Sequence, residues 1–166
     1  MKHVAALVLA AGQSRRMGAA NKLLVEIEGV PMVARVAAAA LESKAETVLV
    51  VTGHQAEAVG DALAGHIEAA VNCLGDMPWI GAAVIDSLID GFHGQGICLP
   101  THRGRRGNPV LWARRYFTEM QSIEGDQEAR GLIGLHEDVV HEVPWDDDSV
   151  LRDVDQPRDA SARSGT

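Results

Sequence analysis

Three stretches of the sequence hold residues that could act on an anionic ligand. The first is Leu9–Ala10–Ala11–Gly12–Gln13–Ser14–Arg15–Arg16–Met17–Gly18, followed by Asn21–Lys22. Small residues let backbone N–H groups approach oxyanions closely and form an anion-binding nest. Arg15 and Arg16 add forked donors, and Lys22 adds a point charge. The lysine stands outside a GxxxxGK[ST] pattern and GxGxxG is absent, so this is neither a Walker loop nor a dinucleotide fingerprint. The second stretch is Gly75–Asp76–Met77–Pro78, with later acids at Asp146–Asp148, Asp153 and Asp155. A hard divalent cation takes one or two carboxylates and leaves its other positions to water and phosphate. The third is Arg103–Gly104–Arg105–Arg106–Gly107–Asn108–Pro109. Its glycines permit tight turns and its arginines can fork onto phosphate.

The elements around these stretches must bring them together. His3–Ala10 is a continuous apolar run ending in a glycine loop, which predicts a buried parallel strand. Leu23–Ile27 reads as a short strand. Pro31 suits a first helical position, and Met32–Leu41 has a helical apolar face through Val33, Val36, Ala37 and Ala40. Thr47–Thr52 is a second buried strand closed by Gly53, and Gln55–Leu63 a helix. Strand and helix alternate, which implies an α/β fold: a three-layer, Rossmann-like arrangement with a mostly parallel central sheet. Ile67–Val71 should be the next strand, and Cys73–Leu74 the tail of another running into Gly75. Only Asn72 separates them, whereas a parallel crossover needs a dozen or more residues. Either Ile67–Leu74 is one strand, or a helix-bearing segment is absent at the Asn72–Cys73 junction; absence is the reading adopted, with no peptide bond expected there. Beyond Pro78 come a helix over Ile80–Phe92, a strand over Gly96–Pro100, the basic loop Arg103–Asn108 and an extended Pro109–Trp112. Helices follow at Arg114–Gln121 and Glu128–Leu135, then a strand at Val139–Val143, an acidic loop at Trp145–Asp155 and a weak helix from Arg158. No repeat or linker divides the chain, so one domain spanning residues 1–166 is expected.

Composition narrows the function. The 166 residues are 46% hydrophobic and only 4% aromatic, so the core must be aliphatic. A net charge of −8 excludes a broad nucleic-acid-binding surface, while basic islands in an acidic chain suit small phosphorylated ligands. Cys73 and Cys98 lack metal-ligand spacing and read as small buried hydrophobes. The histidines show no HxH or HExxH spacing, His54 and His102 included, so zinc is not expected. Trp79, Trp112 and Trp145 are expected to pack. The apolar start is too short for a signal peptide, and no run reaches the length of a membrane span. A cytoplasmic protein without membrane or nucleic-acid partners is expected, as a monomer or weak dimer.

Taken together, LAAGQSRRMG with NKLL, then GVPMV, VTGHQ, LGDMP, GRRGNPVLW and VLRDVDQP, resemble the molybdenum-cofactor nucleotidyltransferases in order along nearly the whole chain. The cytidylyltransferases that act on molybdopterin are the closest match, since guanylyltransferase relatives carry two glycines where Ala11–Gly12 stand. The resemblance implies that CMP passes from CTP to the terminal phosphate of molybdopterin with release of pyrophosphate. It places the nucleotide on Leu9, Ala10, Ala11, Gly12, Gln13, Ser14, Arg15, Gly18, Lys22, Gly53 and Asp76. Arg15, Arg16, Lys22 and Asp76 would be catalytic, and Asp76 and Asp155 would hold Mg²⁺ or Mn²⁺. Asp155 is preferred to Asp153 because it aligns with the family's DxP element. The acceptor would lie on Arg105, Arg106, Gly107, Asn108 and Pro109, and a molybdenum hydroxylase apoenzyme is an implied partner. The family's usual segment at the Asn72–Cys73 position has no counterpart here. Its loss would favour a non-catalytic accessory protein; a guanylyltransferase of the same fold is the nearer alternative. A Rossmann oxidoreductase is disfavoured, lacking both GxGxxG and an acid after the second strand.

Overall fold

The computed structural model describes residues 2–10, 22–51, 67–121, 126–155 and 159. Most of the glycine-rich loop, Gly53, the Gln55–Leu63 helix and most of the tail helix lie outside them. Seven strands form the main sheet: β1 (Val4–Leu9), β4 (Thr47–Val51), β5 (Ala69–Leu74), β6 (Ile97–His102), β7 (Arg105–Arg106), β8 (Val110–Ala113) and β9 (Val140–Pro144). A separate two-stranded hairpin pairs β2 (Glu26–Ile27) with β3 (Val30–Pro31). Its turn residues Glu28 and Gly29 have φ of 54° and 78°, as a two-residue type I′ turn requires.

The sheet order is β4-β1-β5-β8-β6, with β7 and β9 also pairing β6. β1 is parallel to β4 and β5, and β6 to β9. β8 runs antiparallel to both β5 and β6, so β6 points the same way as β5. The carboxyl ends of β1, β4, β5, β6 and β9 therefore share one edge, where open α/β sheets bind ligands. The fold is the expected Rossmann-like arrangement, mostly parallel at its core.

The antiparallel strand departs from a simple alternation, and its cause is local. Arg103 and Gly104 have φ of 50° and 74°. They close a two-residue turn between β6 and β7, a connection too short for any parallel return. The expected basic loop is thus mostly a hairpin arm, β7 continuing into β8 past a cis Asn108–Pro109 peptide.

Helices α1 (Met32–Glu42) and α2 (Ala82–Gly91) supply Val36, Ala40, Val84, Ile85 and Leu88 to the main core. There they meet Val4, Ala6, Val8 and Val71. Arg114–Tyr116 forms a 3-10 turn before α3 (Phe117–Gln121), and α4 (Asp126–Leu135) follows. Lys22–Leu24 is likewise a 3-10 turn, so of the strand expected over Leu23–Ile27 only Glu26–Ile27 is extended. Trp112 is buried, as expected of a packing residue.

The expected interruption at Asn72–Cys73 is not present. Both are interior residues of β5, which pairs with β1 in unbroken register from Val4–Ala69 to Leu9–Leu74. The crossover between parallel strands is supplied earlier, by the stretch from Val51 to Ala69, long enough for the purpose. The stretch is thus one strand, the other of the two readings that the sequence left open.

Candidate active site

The edge of the sheet is built around Gly75. Its N–H donates to the Leu9 carbonyl at 3.1 Å, and Ala10 N–H donates to Val51 O at 2.9 Å. The turn carrying Asp76 thus rests on the end of β1, where the glycine-rich loop departs. A Cβ on Gly75 would lie 2.8 Å from Leu9 O and 3.3 Å from Leu23 Cδ2. Only glycine allows this approach. Arg35 of α1 holds the far side of the turn, donating to Pro78 O at 3.4 Å and Ile27 O at 3.2 Å.

A strap from the last part of the chain joins this turn to the hairpin arm. It begins with a 3-10 turn over Asp148–Leu151, capped by Asp147, whose carboxylate accepts from Ser149 N–H at 2.8 Å. Val150 O accepts from Asn108 N–H at 2.8 Å. Gly107 lies so close beneath that a Cβ there would stand 2.2 Å from the same oxygen. Four residues on, Val154 N–H donates to Asp76 O at 2.9 Å. Val150 and Val154 are both fully buried, Val154 with Ile27 and Met32 and against Trp79. Four extended residues reach at most about 14 Å, so the Gly107 region and the Asp76 turn are near neighbours. Arg152, between the anchors, places its guanidinium 4.0 Å over the Trp79 ring.

This strap brings Asp155 beside Asp76, although they are far apart in sequence. Both are partly buried at the carboxyl edge. Asp155 N–H donates to Asp159 Oδ2 at 3.2 Å. Among the described residues no group of three or more His, Cys, Asp or Glu side chains is placed to hold a metal. Two carboxylates without nitrogen or sulfur ligands suit Mg²⁺ or Mn²⁺, which accept water and phosphate oxygens in the remaining positions.

Residues assigned to the acceptor are brought together, but several are engaged. Gly107 N–H donates to Pro100 O at 2.8 Å, and the Asn108 N–H is used on Val150. Arg106 pairs with Glu137 through both terminal nitrogens, one at 2.8 Å, and with Glu142 through Nε at 2.7 Å. These bonds, Glu137's first, push the Arg106 pKa up and hold the Glu137 carboxyl below its ordinary value. Arg103 and Arg105 are exposed on the hairpin. Pro109 is buried.

Of the residues expected to bind the nucleotide, Leu9, Ala10 and Asp76 lie at this edge, and Lys22 starts the 3-10 turn whose Leu23 faces Gly75. Ala11, Gly12, Gln13, Ser14, Arg15, Arg16, Gly18 and Gly53 lie outside the described residues, as does His54. His102 is structural, its Nδ1 3.0 Å from Trp145 O. Reading the sequence missed Arg35, the Val150–Val154 anchors and Asp159. Only Asp159 left a signal, an acid four residues after Asp155 in the same turn-forming stretch.

Comparison with known proteins agrees with the fold. Residues 6–66 and 58–140 match the MobA-like NTP transferase domain. The bifunctional protein GlmU of Paracoccus denitrificans is 39% identical over 102 residues, covering 59% of this chain. The match spans only 23% of the length of that curated relative. The crystal structure of a Mycobacterium sp. strain JC1 homologue of Mycobacterium tuberculosis Rv0371c superposes with TM-score 0.81 at 27% identity, covering 94% of this chain and 92% of that one. Rv0371c of M. tuberculosis in complex with manganese gives TM-score 0.73 at 20% identity, over 88% and 89% of the two chains. CMP:2-keto-3-deoxy-manno-octonic acid synthetase complexed with CTP gives 0.68 at 14% identity, over 95% of each. The last two likenesses speak for the fold alone. With the family match spanning most of the sequence and the fold shared, this chain belongs to the family of MobA-like NTP transferase domains.

Proposed function

We propose that the chain, as one nucleotidyltransferase domain, moves CMP from CTP onto the terminal phosphate of molybdopterin and releases pyrophosphate. The observation that carries this reading is the Val154–Asp76 backbone hydrogen bond. It joins the residue before Asp155 to the Asp76 turn, which supports a shared role for the two aspartates. The order of motifs along the sequence supports cytidylyl transfer to a molybdopterin-type acceptor, as does a fold shared with a synthetase solved with CTP. The manganese complex of a neighbour supports a divalent cation as cofactor, and the two carboxylates supply the hard oxygen donors such an ion takes.

In this reading the acceptor phosphate attacks the α-phosphorus of CTP. A bond forms from a phosphate oxygen to that phosphorus, the bond to the bridging oxygen breaks, and pyrophosphate carries away the electron pair. The attacking oxygen is already anionic, so no general base is required. Catalysis rests on positioning and charge neutralisation. The Ala11–Gly18 loop, Arg15, Arg16 and Lys22 hold the triphosphate. Arg105, on the hairpin arm, meets the acceptor phosphate, while Arg106 fixes that arm through Glu137 and Glu142. A divalent cation on Asp76 and Asp155 would offset negative charge on the phosphates. The continuous β5 supplies no counterpart of the family's segment at Asn72–Cys73, so a non-catalytic accessory protein stays the second reading, marked by nucleotide binding without pyrophosphate release.

The test is Asp76→Ala assayed for pyrophosphate release with CTP, Mg²⁺ and molybdopterin. Turnover should fall by about 100-fold or more, the scale of removing one group that stabilises transition-state charge. Near-normal turnover rejects the reading. Turnover with GTP exceeding that with CTP would replace cytidylyl by guanylyl transfer.

A further inference from the structure

We infer that Asp159 is a positioning residue that aims the Asp155 carboxylate at the cation site; this rests on the metal reading above. The basis is a pair of consecutive amides, each tied to a different part of the site. Val154 N–H is bonded to Asp76 O at 2.9 Å, and Asp155 N–H to Asp159 Oδ2 at 3.2 Å. The Val154 side chain is fully buried, which stops this stretch from sliding along the sheet edge. With the backbone held on both sides of the Val154 Cα, the peptide plane leading into Asp155 is fixed, and with it the point from which the Asp155 side chain leaves. A carboxylate accepting an amide N–H makes a charge-assisted bond, stronger than a neutral one.

Outer residues that orient a metal ligand commonly contribute 10- to 100-fold in metal affinity. Asp159 fits this role and differs from a third ligand in a testable respect. A positioning role needs an oxygen that accepts the Asp155 N–H, which asparagine also provides. A ligand role needs the negative charge, which asparagine lacks.

The experiment measures Mn²⁺ binding to the full chain without nucleotide, by the loss of the free-Mn²⁺ electron paramagnetic resonance signal. Melting temperatures are recorded in parallel. Asp159 lies outside the buried core, so its variants should melt close to wild type. Asp159→Ala should weaken Mn²⁺ binding by about 10-fold or more, and Asp159→Asn should recover most of that loss. Unchanged binding in Asp159→Ala overturns the inference. An Asp159→Asn loss as large as that of Asp159→Ala also overturns it, in favour of direct ligation. Asp76→Ala separates the two levels of the reading. If it binds Mn²⁺ like wild type, the metal site itself is wrong; if it loses binding while Asp159→Ala keeps it, only the role of Asp159 fails.

Discussion

Replacing Gly107 with alanine tests the packing that joins the two halves of the site. The added Cβ would lie 2.2 Å from Val150 O and 2.8 Å from its carbonyl carbon. Neither atom belongs to a flexible side chain. Val150 cannot retreat cheaply, because its side chain is fully buried and its oxygen holds Asn108 N–H at 2.8 Å. Relief therefore requires the strap to lift. The lost backbone hydrogen bond costs about 1 kcal/mol net, and forcing an extra methyl into a packed site about 1–3 kcal/mol. The sum is about 2–4 kcal/mol. For a chain of this size each kcal/mol moves Tm by roughly 2–4 °C, so a thermal melt followed by circular dichroism should fall by roughly 4–16 °C. Gly134→Ala is the matched control. Gly134 lies in α4 with nothing within 4 Å of its would-be Cβ, and alanine there should stabilise by about 0.5–1 kcal/mol. A Gly107→Ala melt equal to wild type would refute the account of the strap.

Two further outcomes follow from buried and capped groups. Burial pushes the thiols of Cys73 and Cys98 up to about 12 and about 11; neither should react with iodoacetamide at pH 8 in the native protein, and both should label in denaturant, as read by mass spectrometry. Fast native labelling of either would contradict its placement in the core. Asp147 is held below its ordinary pKa, chiefly by the Ser149 hydroxyl. A depressed carboxyl stabilises above its unfolded pKa, near 4, and that contribution fades as pH falls through the folded value. Urea unfolding should thus show Asp147→Ala costing up to about 1 kcal/mol at pH 7 and less at pH 3. An equal cost at both would mean that the carboxylate charge is irrelevant to the cap.

Much of the fold was legible because burial writes itself into local pattern. β1 is a run of apolar residues because it lies between two other strands, and α1 shows its inward face at helical spacing. Strand direction is not written that way: β8 is apolar whichever way it runs. The signal for its reversal was the Arg103–Gly104 pair, readable as a two-residue turn but absorbed into a basic loop. β5 was divided because Cys73–Leu74 runs straight into Gly75 and so reads as the tail of a second strand. The site was legible where glycine and aspartate sit in short motifs, as at Gly75–Asp76. It was illegible where contacts join distant residues. Nothing near Arg106 announces Glu137 and Glu142, and nothing near Gly107 announces Val150. Gly107 stood out as a glycine, but not the Val150 backbone that packs against it.

The strap has a temporal consequence. A chain made from its N-terminus can pair β1, β4 and β5 and form the Asp76 turn well before Asp155 has been synthesised. Until the final stretch emerges and docks Val150 and Val154, the molecule has its sheet and the Asp76 turn but not the segment of chain that carries Asp155. In this reading, an unfinished or C-terminally clipped chain could keep its scaffold and still be unable to begin the reaction.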